Sequence, residues 1–233
     1  MSSLKILSGG AAQGLVTSLT PQFTSRTGWS IDDAYGAVGG MAERLRKGEA
    51  VDVMISTAAL IAEFEREGLL QAGSSRAIGK VETAVAVRTG DKPPPIGDEA
   101  ALRESLLAAD AIYVPDIASS TAGIHVAKVL RQLSIFQQVE RCLKIFPNGA
   151  TAMHELAASK ASRPIGSTQT TEIIITPGLT LVGPLPPACA LATVYSAGVT
   201  ARAADGAVAK TLIDILVDSG QLAARQRAGF RES

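Results

Sequence analysis

"KILSGGAAQGLVTSLTPQFTSRT", residues 5–27, runs a short apolar strand into a turn of one serine, two glycines and two alanines, and then directly into a helical pattern from Gln13. A strand that ends in small residues and passes at once into a helix is the start of a βα unit. The pattern recurs. Short apolar runs at 5–7, 30–35, 51–55, 82–87, 111–114, 173–176 and at Val182 predict strands, and longer periodic stretches at 13–27, 41–47, 58–67, 99–109, 123–134, 151–160, 203–217 and 221–227 predict helices. Alternation of this kind predicts an α/β fold with a mostly parallel sheet. Two extended stretches, "TGDKPPPIGDEA" (89–100) and "GPLPPACA" (183–190), bracket a self-contained βα block. The expectation is two α/β lobes, residues 1–83 with 193–233 as the first and 84–192 as the second, joined by crossovers near 83–87 and 185–195.

Composition narrows the function classes. The 233 residues carry 22 basic and 22 acidic side chains, so no net field favours nucleic acid or an anionic membrane surface, and any selectivity for an anion must be local. No apolar run approaches the ~18 residues of a membrane span. Cys142 and Cys189 stand apart without metal spacing and read as buried free thiols. With two histidines there is little material for a metal site or a Ser-His-Asp triad, and "SGGAAQG" lacks the spacing of a dinucleotide loop. No metal and no cofactor is expected. The start, Met1-Ser2-Ser3 and then a strand, has no leader pattern and predicts a cytoplasmic chain, or a periplasmic one if the natural start lies upstream of Met1.

Five turns sit where strand ends meet helix starts: Ser8-Gly9-Gly10-Ala11-Ala12, 36–40 around Val38 and Gly39, Ser56-Thr57, 118–123 with Ser119, Ser120, Thr121 and Ala122, and "IGSTQTTE" (165–172) with Ser167, Thr168 and Gln169. In an open α/β sheet these are carboxyl ends of strands, the edge where ligands bind. Helix N-termini there offer unpaired N–H groups and a partial positive charge, enough to hold an anion without lysine or arginine. Glycine and serine equally serve tight turns and caps, and any one of these turns reads that way as easily. Convergence of five favours a site. His125, in the first turn of a helix that opens on the site, would be held neutral by the helix dipole and suits a base. Lys80 before the first crossover, Tyr195 after the second and, more weakly, Arg163 are the remaining candidates, Lys80 for direct charge contact.

"GEAVDVMISTAALIAEFEREGLL", "ETAVAVRTGD", "SSTAGIHVAKVLRQLSI" and "YSAGVTARAADGAVAKTLIDILVDSGQLAARQRAGF" resemble, in order and spacing over nearly the whole chain, the molybdate-binding type II periplasmic binding proteins. The resemblance implies a two-lobed type II periplasmic-binding-protein-like fold, with two crossover strands and hinge closure on a small anion. In that family serine hydroxyls in the first two turns hold the oxyanion. Here Ala11 and Ala12 stand where Ser-Leu would be, and Ala37 and Val38 replace the paired serines. A missing donor costs about 1–3 kcal/mol, which argues against molybdate and for an organic carboxylate. His125 stands where the family carries an aromatic residue.

Three functions follow as expectations. The first is a solute-binding protein for a small anion, with a membrane transporter as partner if a leader has been removed. The second is a cytoplasmic isomerase of an unsaturated polycarboxylate, similar to aconitate isomerase, with His125 or Lys80 as the base for allylic proton transfer. The third is a ligand-sensing module acting through a separate DNA-binding chain.

Overall fold

The computed structural model describes residues 2–232. In chain order its elements are β1 (Ser3–Gly9), α1 (Gln13–Thr27), β2 (Ser30–Gly36), α2 (Val38–Arg46), β3 (Val53–Thr57), α3 (Ala58–Arg66), β4 (Arg76–Arg88), α4 (Glu99–Ala108), β5 (Ala111–Pro115), α5 (Thr121–Gln132), α6 (Phe136–Val139), β6 (Leu143–Phe146), α7 (Gly149–Ala157), β7 (Pro164–Gln169), α8 (Thr170–Ile174), β8 (Leu179–Pro184), β9 (Ala192–Val199), α9 (Gly206–Val217) and α10 (Leu222–Arg227). The chain divides into two compact units: unit 1, Met1–Val81 with Thr193–Ser233, and unit 2, Glu82–Ala192. β4 carries the chain from the first unit into the second and β9 brings it back.

In unit 1 the strands lie in the order β2-β1-β3-β9, the first three parallel and β9 antiparallel to β3. β3 shows why. Val53, Met54 and Ile55 are all fully buried, Val53 and Ile55 packing with Leu4, Ile6 and Phe23 on one face and Met54 with Leu7, Ile61 and Phe64 on the other. A continuous apolar run with period-two sorting is what a central strand covered by helices on both faces requires. The three parallel strands end at one edge, and α1, α2 and α3 start there.

Unit 2 has the order β8-β4-β7-β5-β6, with β4 antiparallel to both neighbours and β7, β5 and β6 parallel. Val85 faces one core with Ile112, Val114 and Val126, and Ala84 and Ala86 face the other with Met153, Leu156 and Ile173.

Two expectations are corrected here. Residues 173–176, read as a strand from their isoleucines, belong mostly to helix α8, and the strand is the preceding "PIGSTQ", which had read as a loop. All six residues of that strand are buried, and its hydroxyls are satisfied within the fold: Ser167 Oγ donates to the distant carbonyl of Ala84 at 3.0 Å, and Thr168 Oγ1 to Glu172, four residues on. Small, polar residues fill this strand because Leu156 and Met153 press on Gly166, where any Cβ would crowd them. The third expectation, at Cys142 and Cys189, is met unequally: both are free thiols, Cys189 buried and Cys142 only half-buried.

Candidate functional site

Helix starts sort the strand-end turns into two kinds. α3, α4, α5, α7 and α9 are each capped by a side chain, from Thr57, Asp98, Ser120, Asn148 and Asp205 respectively, as sequence preference dictates. α1, α2 and α8 start at Ala12, Ala37 and Gln169 with no side-chain cap, as do the short α6 and α10. At α2 and α8 the first N–H groups are left for water or a ligand, whereas the first N–H of α1 already donates to the Gly10 carbonyl and that of α10 to the Ser219 carbonyl.

In unit 1, Gly9 lies in a tight corner between turns: a Cβ there would come within 3.0 Å of Val38 Cγ2 and 3.1 Å of Tyr195 Cε1. The fold thus brings Gly9, Val38 and Tyr195 together. Tyr195 is in register with Thr57 across the β3–β9 pair, and Ser56 with Ser196. Gly10, Ala11 and Ala12 form a buried 3-10 turn that leads into α1. The hydroxyl of Ser8 is spent locally, donating to the carbonyl of Gly9 at 2.8 Å. The Ser56 hydroxyl is fully buried and has no hydrogen-bond partner. Around these backbone amides the walls are carbon: Ala11, Ala12 and Val38 are all buried. Gly39, the second helical residue of α2, is half-buried.

Unit 2 is built from polar side chains. Gln169 closes β7 and is 3% exposed, yet neither its Nε2 nor its Oε1 has a partner; the same holds for the buried hydroxyls of Thr83, its register partner on β4, and Thr171. Unpaired buried polar atoms are rare, because each forfeits about 1–3 kcal/mol of solvation, and their concentration at one strand end marks a place prepared for polar company. Next to them lies Glu172. Its Oε2 accepts the Thr168 hydroxyl at 2.5 Å. Burial pushes its carboxyl up to about 7, against the opposing pull of hydrogen bonds from Thr168 and the Gln169 N–H. Gly149, at the start of α7, makes the room: a Cβ there would collide with Glu172 Oε2 and Thr168 Oγ1.

Other expected residues are occupied within the fold. Asp116 accepts from the hydroxyl and N–H of Ser119 and from the N–H of Ala118, which holds its carboxyl below the ordinary range, and Ser120 caps α5. Thr121 and the buried Ala122 form the first turn of α5, pressed so close to β5 that a Cβ on Gly123 would strike the carbonyls of Pro115 and Asp116. His125 Nε2 lies 2.8 Å from the Cys189 carbonyl, which can only accept, so Nε2 carries the proton and Nδ1 remains available. Lys80 belongs to unit 1, its backbone N–H and carbonyl both paired with Arg231 at 2.8 Å. Arg163 is displaced from the candidate site. It precedes β7 at the end opposite Gln169 and lines a cavity of about 480 Å³ with Val87, Pro94, Pro95 and Ile165. Sequence reasoning missed Glu172 and Thr171; the signal was an acid set beside three isoleucines in "TEIII". Among the described residues no three of His, Cys, Asp and Glu are grouped to hold a metal ion, and no helix is long and apolar enough to cross a membrane.

Comparison with known proteins places this geometry. The profile of a family described as bacterial extracellular solute-binding protein matches residues 4–231. An aconitate isomerase from a Pseudomonas species is 24% identical over 240 residues, spanning 99% of this chain and 88% of that protein. The periplasmic molybdate-binding protein of Azotobacter vinelandii superposes with a TM-score of 0.81 at 18% identity, over 99% of both chains. The sulfate-binding protein SubI of Mycobacterium tuberculosis H37Rv superposes with a TM-score of 0.78 at 15% identity, over 100% of this chain and 87% of that one. The fold is that of the periplasmic binding proteins.

Proposed function

The chain belongs to the bacterial extracellular solute-binding protein family, and from that premise we propose that it binds a small organic anion, a di- or tricarboxylate, each unit offering donors of its own. The carrying observation is the set of buried, unpartnered polar groups at strand ends: Ser56 in unit 1, and Thr83, Gln169 and Thr171 in unit 2. Binding proceeds through directed hydrogen bonds. In unit 1 the uncapped start of α2 offers its N–H groups and the positive end of the helix to a carboxylate. The carbon walls of Ala11, Ala12 and Val38 suit a ligand with a hydrocarbon body. Unit 2, taken by itself, offers the Gln169 amide and the hydroxyls of Thr83 and Thr171 to a carboxylate or a hydroxyl. A tetrahedral oxyanion needs hydroxyl donors where this chain has alanine and valine, which is why molybdate and sulfate are disfavoured. On this reading the chain works outside the cytoplasm and hands its ligand to a membrane transporter.

The test is a thermal-shift screen against molybdate, tungstate, sulfate, phosphate and a panel of di- and tricarboxylates. A ligand at 100 times its Kd adds about 2.7 kcal/mol of stability, a shift of several degrees. Stabilisation by polycarboxylates is the expected result, and stabilisation by a tetrahedral oxyanion alone overturns the reading.

The likeness to an aconitate isomerase favours a second reading, proton-transfer isomerisation of an unsaturated tricarboxylate inside the cell. A base would take an allylic proton and return it at the far carbon of the shifted double bond. Lys80 and, through Nδ1, His125 are the candidates. Proton NMR of cis-aconitate with the protein decides: conversion that Lys80→Met or His125→Gln abolishes supports the enzyme, and an unchanged spectrum supports the receptor.

A further inference from the structure

Glu172 performs no service that ligand binding alone requires. It is buried on α8 with its carboxyl between the Thr168 hydroxyl, the Gln169 N–H and the start of α7. Charged groups on the surrounding elements do not compensate it. On α7, His154 and Glu155 are exposed; β7 and β8 carry no charged residue. On β4, the neighbour of β7, Glu82 is half-buried beside Thr170, whose hydroxyl donates to its carbonyl at 2.9 Å, and Arg88 lies at the far end, paired with Asp91.

We infer that Glu172 makes anion binding proton-linked: an anion docked on Gln169 draws a proton from solvent onto the Glu172 carboxylate, and deprotonation of Glu172 expels the anion. The inference rests on the proposed anion site. Its physical basis is the shared backbone. Gln169, whose amide awaits the ligand, also donates its N–H to Glu172, so a ligand carboxylate and an ionised Glu172 would be two like charges next to each other in a poorly solvated place. Protonation removes that repulsion and lets the Glu172 O–H turn towards Thr168 Oγ1. The free carboxyl, which burial sets near neutrality, is then poised for small changes in pH to load or unload the site. Glu172 is a positioning residue in this scheme, because it acts on the ligand through Gln169 and Thr168.

The experiment is calorimetric titration of the full chain with trans-aconitate from about pH 6 to 8.5, for the native protein and for Glu172→Gln. The ligand's own ionisation is common to both and drops out of the ratio of their Kd values. That ratio, native over variant, is expected to rise about tenfold per pH unit above 7. A ratio flat across the range overturns the proton linkage and leaves the anion site intact. Failure of both proteins to bind any anion at any pH removes the site and the linkage with it. Should Glu172→Gln not fold, native titrations near pH 7.5 in buffers of different ionisation enthalpy count the protons directly: uptake approaching about one per ligand supports the linkage, and none overturns it.

Discussion

In unit 1 the strand ends carry uncapped helix starts framed by alanine and valine, with the Ser56 hydroxyl as the one unpartnered side-chain group; in unit 2 the unpartnered groups are the side chains of Thr83, Gln169 and Thr171, beside the buried acid Glu172. Backbone donors are fixed by the fold, so substitutions in unit 1 act by steric means. Side-chain donors are buried without partners, so unit 2 gives up stability to remain ready, and its readiness depends on pH. Loss of an unpartnered side-chain donor should therefore weaken binding without lowering stability, while a steric substitution at a crowded glycine should lower stability.

The largest expected effect tests the titratable half of that contrast. The folded-state pKa of Glu172 lies near 7, above the ordinary carboxyl value of about 4.3 in the unfolded chain. The folded state thus holds more protons in that window, and stability is full at the acidic end and declines as pH rises to about 7, by about 3 kcal/mol in total. Urea unfolding across this range should show the decline in the native chain and a flatter profile in Glu172→Gln; parallel profiles would sink the claim. Next in size is Gly149→Ala, whose Cβ collides with Glu172 and Thr168 and should cost about 2 kcal/mol by the same assay. Gly40→Ala in α2, with nothing within 4 Å of the added carbon, should instead gain up to about 1 kcal/mol. In unit 1, Gly9→Ala brings a methyl within 3.0 Å of Val38 and should cost about 1 kcal/mol and weaken anion binding together, as measured by unfolding and titration. Smallest is Ser56→Ala, which removes a hydroxyl with no partner: its unfolding midpoint should move by no more than about 0.5 kcal/mol while affinity falls.

Legibility followed locality. The run Val53-Met54-Ile55 announced a covered strand, and Ser56-Thr57 the start of α3, because caps and periodicity are written in neighbouring residues; the helices expected from 151 and 203 instead start at Gly149 and Gly206, behind the caps Asn148 and Asp205. "PIGSTQ" was not legible as a strand, since Ser167 finds its partner in Ala84, 83 positions away. Ser119 drew attention as a ligand group, and its real occupation, with Asp116 three residues earlier, was readable as an Asx turn. Gln169 was visible as a polar residue at a turn. Glu172 was scarcely so: the three isoleucines that follow it are the one local sign of burial, and its setting is completed by Gly149, brought against it only in the fold.

The central claim, that the unpartnered groups of unit 2 await an anion, is tested most directly by Gln169→Leu, titrated with trans-aconitate and unfolded in urea without ligand. The account predicts affinity reduced at least about tenfold with an unfolding midpoint unchanged or raised, since a buried amide that bonds nothing has been replaced by carbon. Unchanged affinity, or lost affinity accompanied by a lowered midpoint, would show that the Gln169 amide serves the fold and not the ligand.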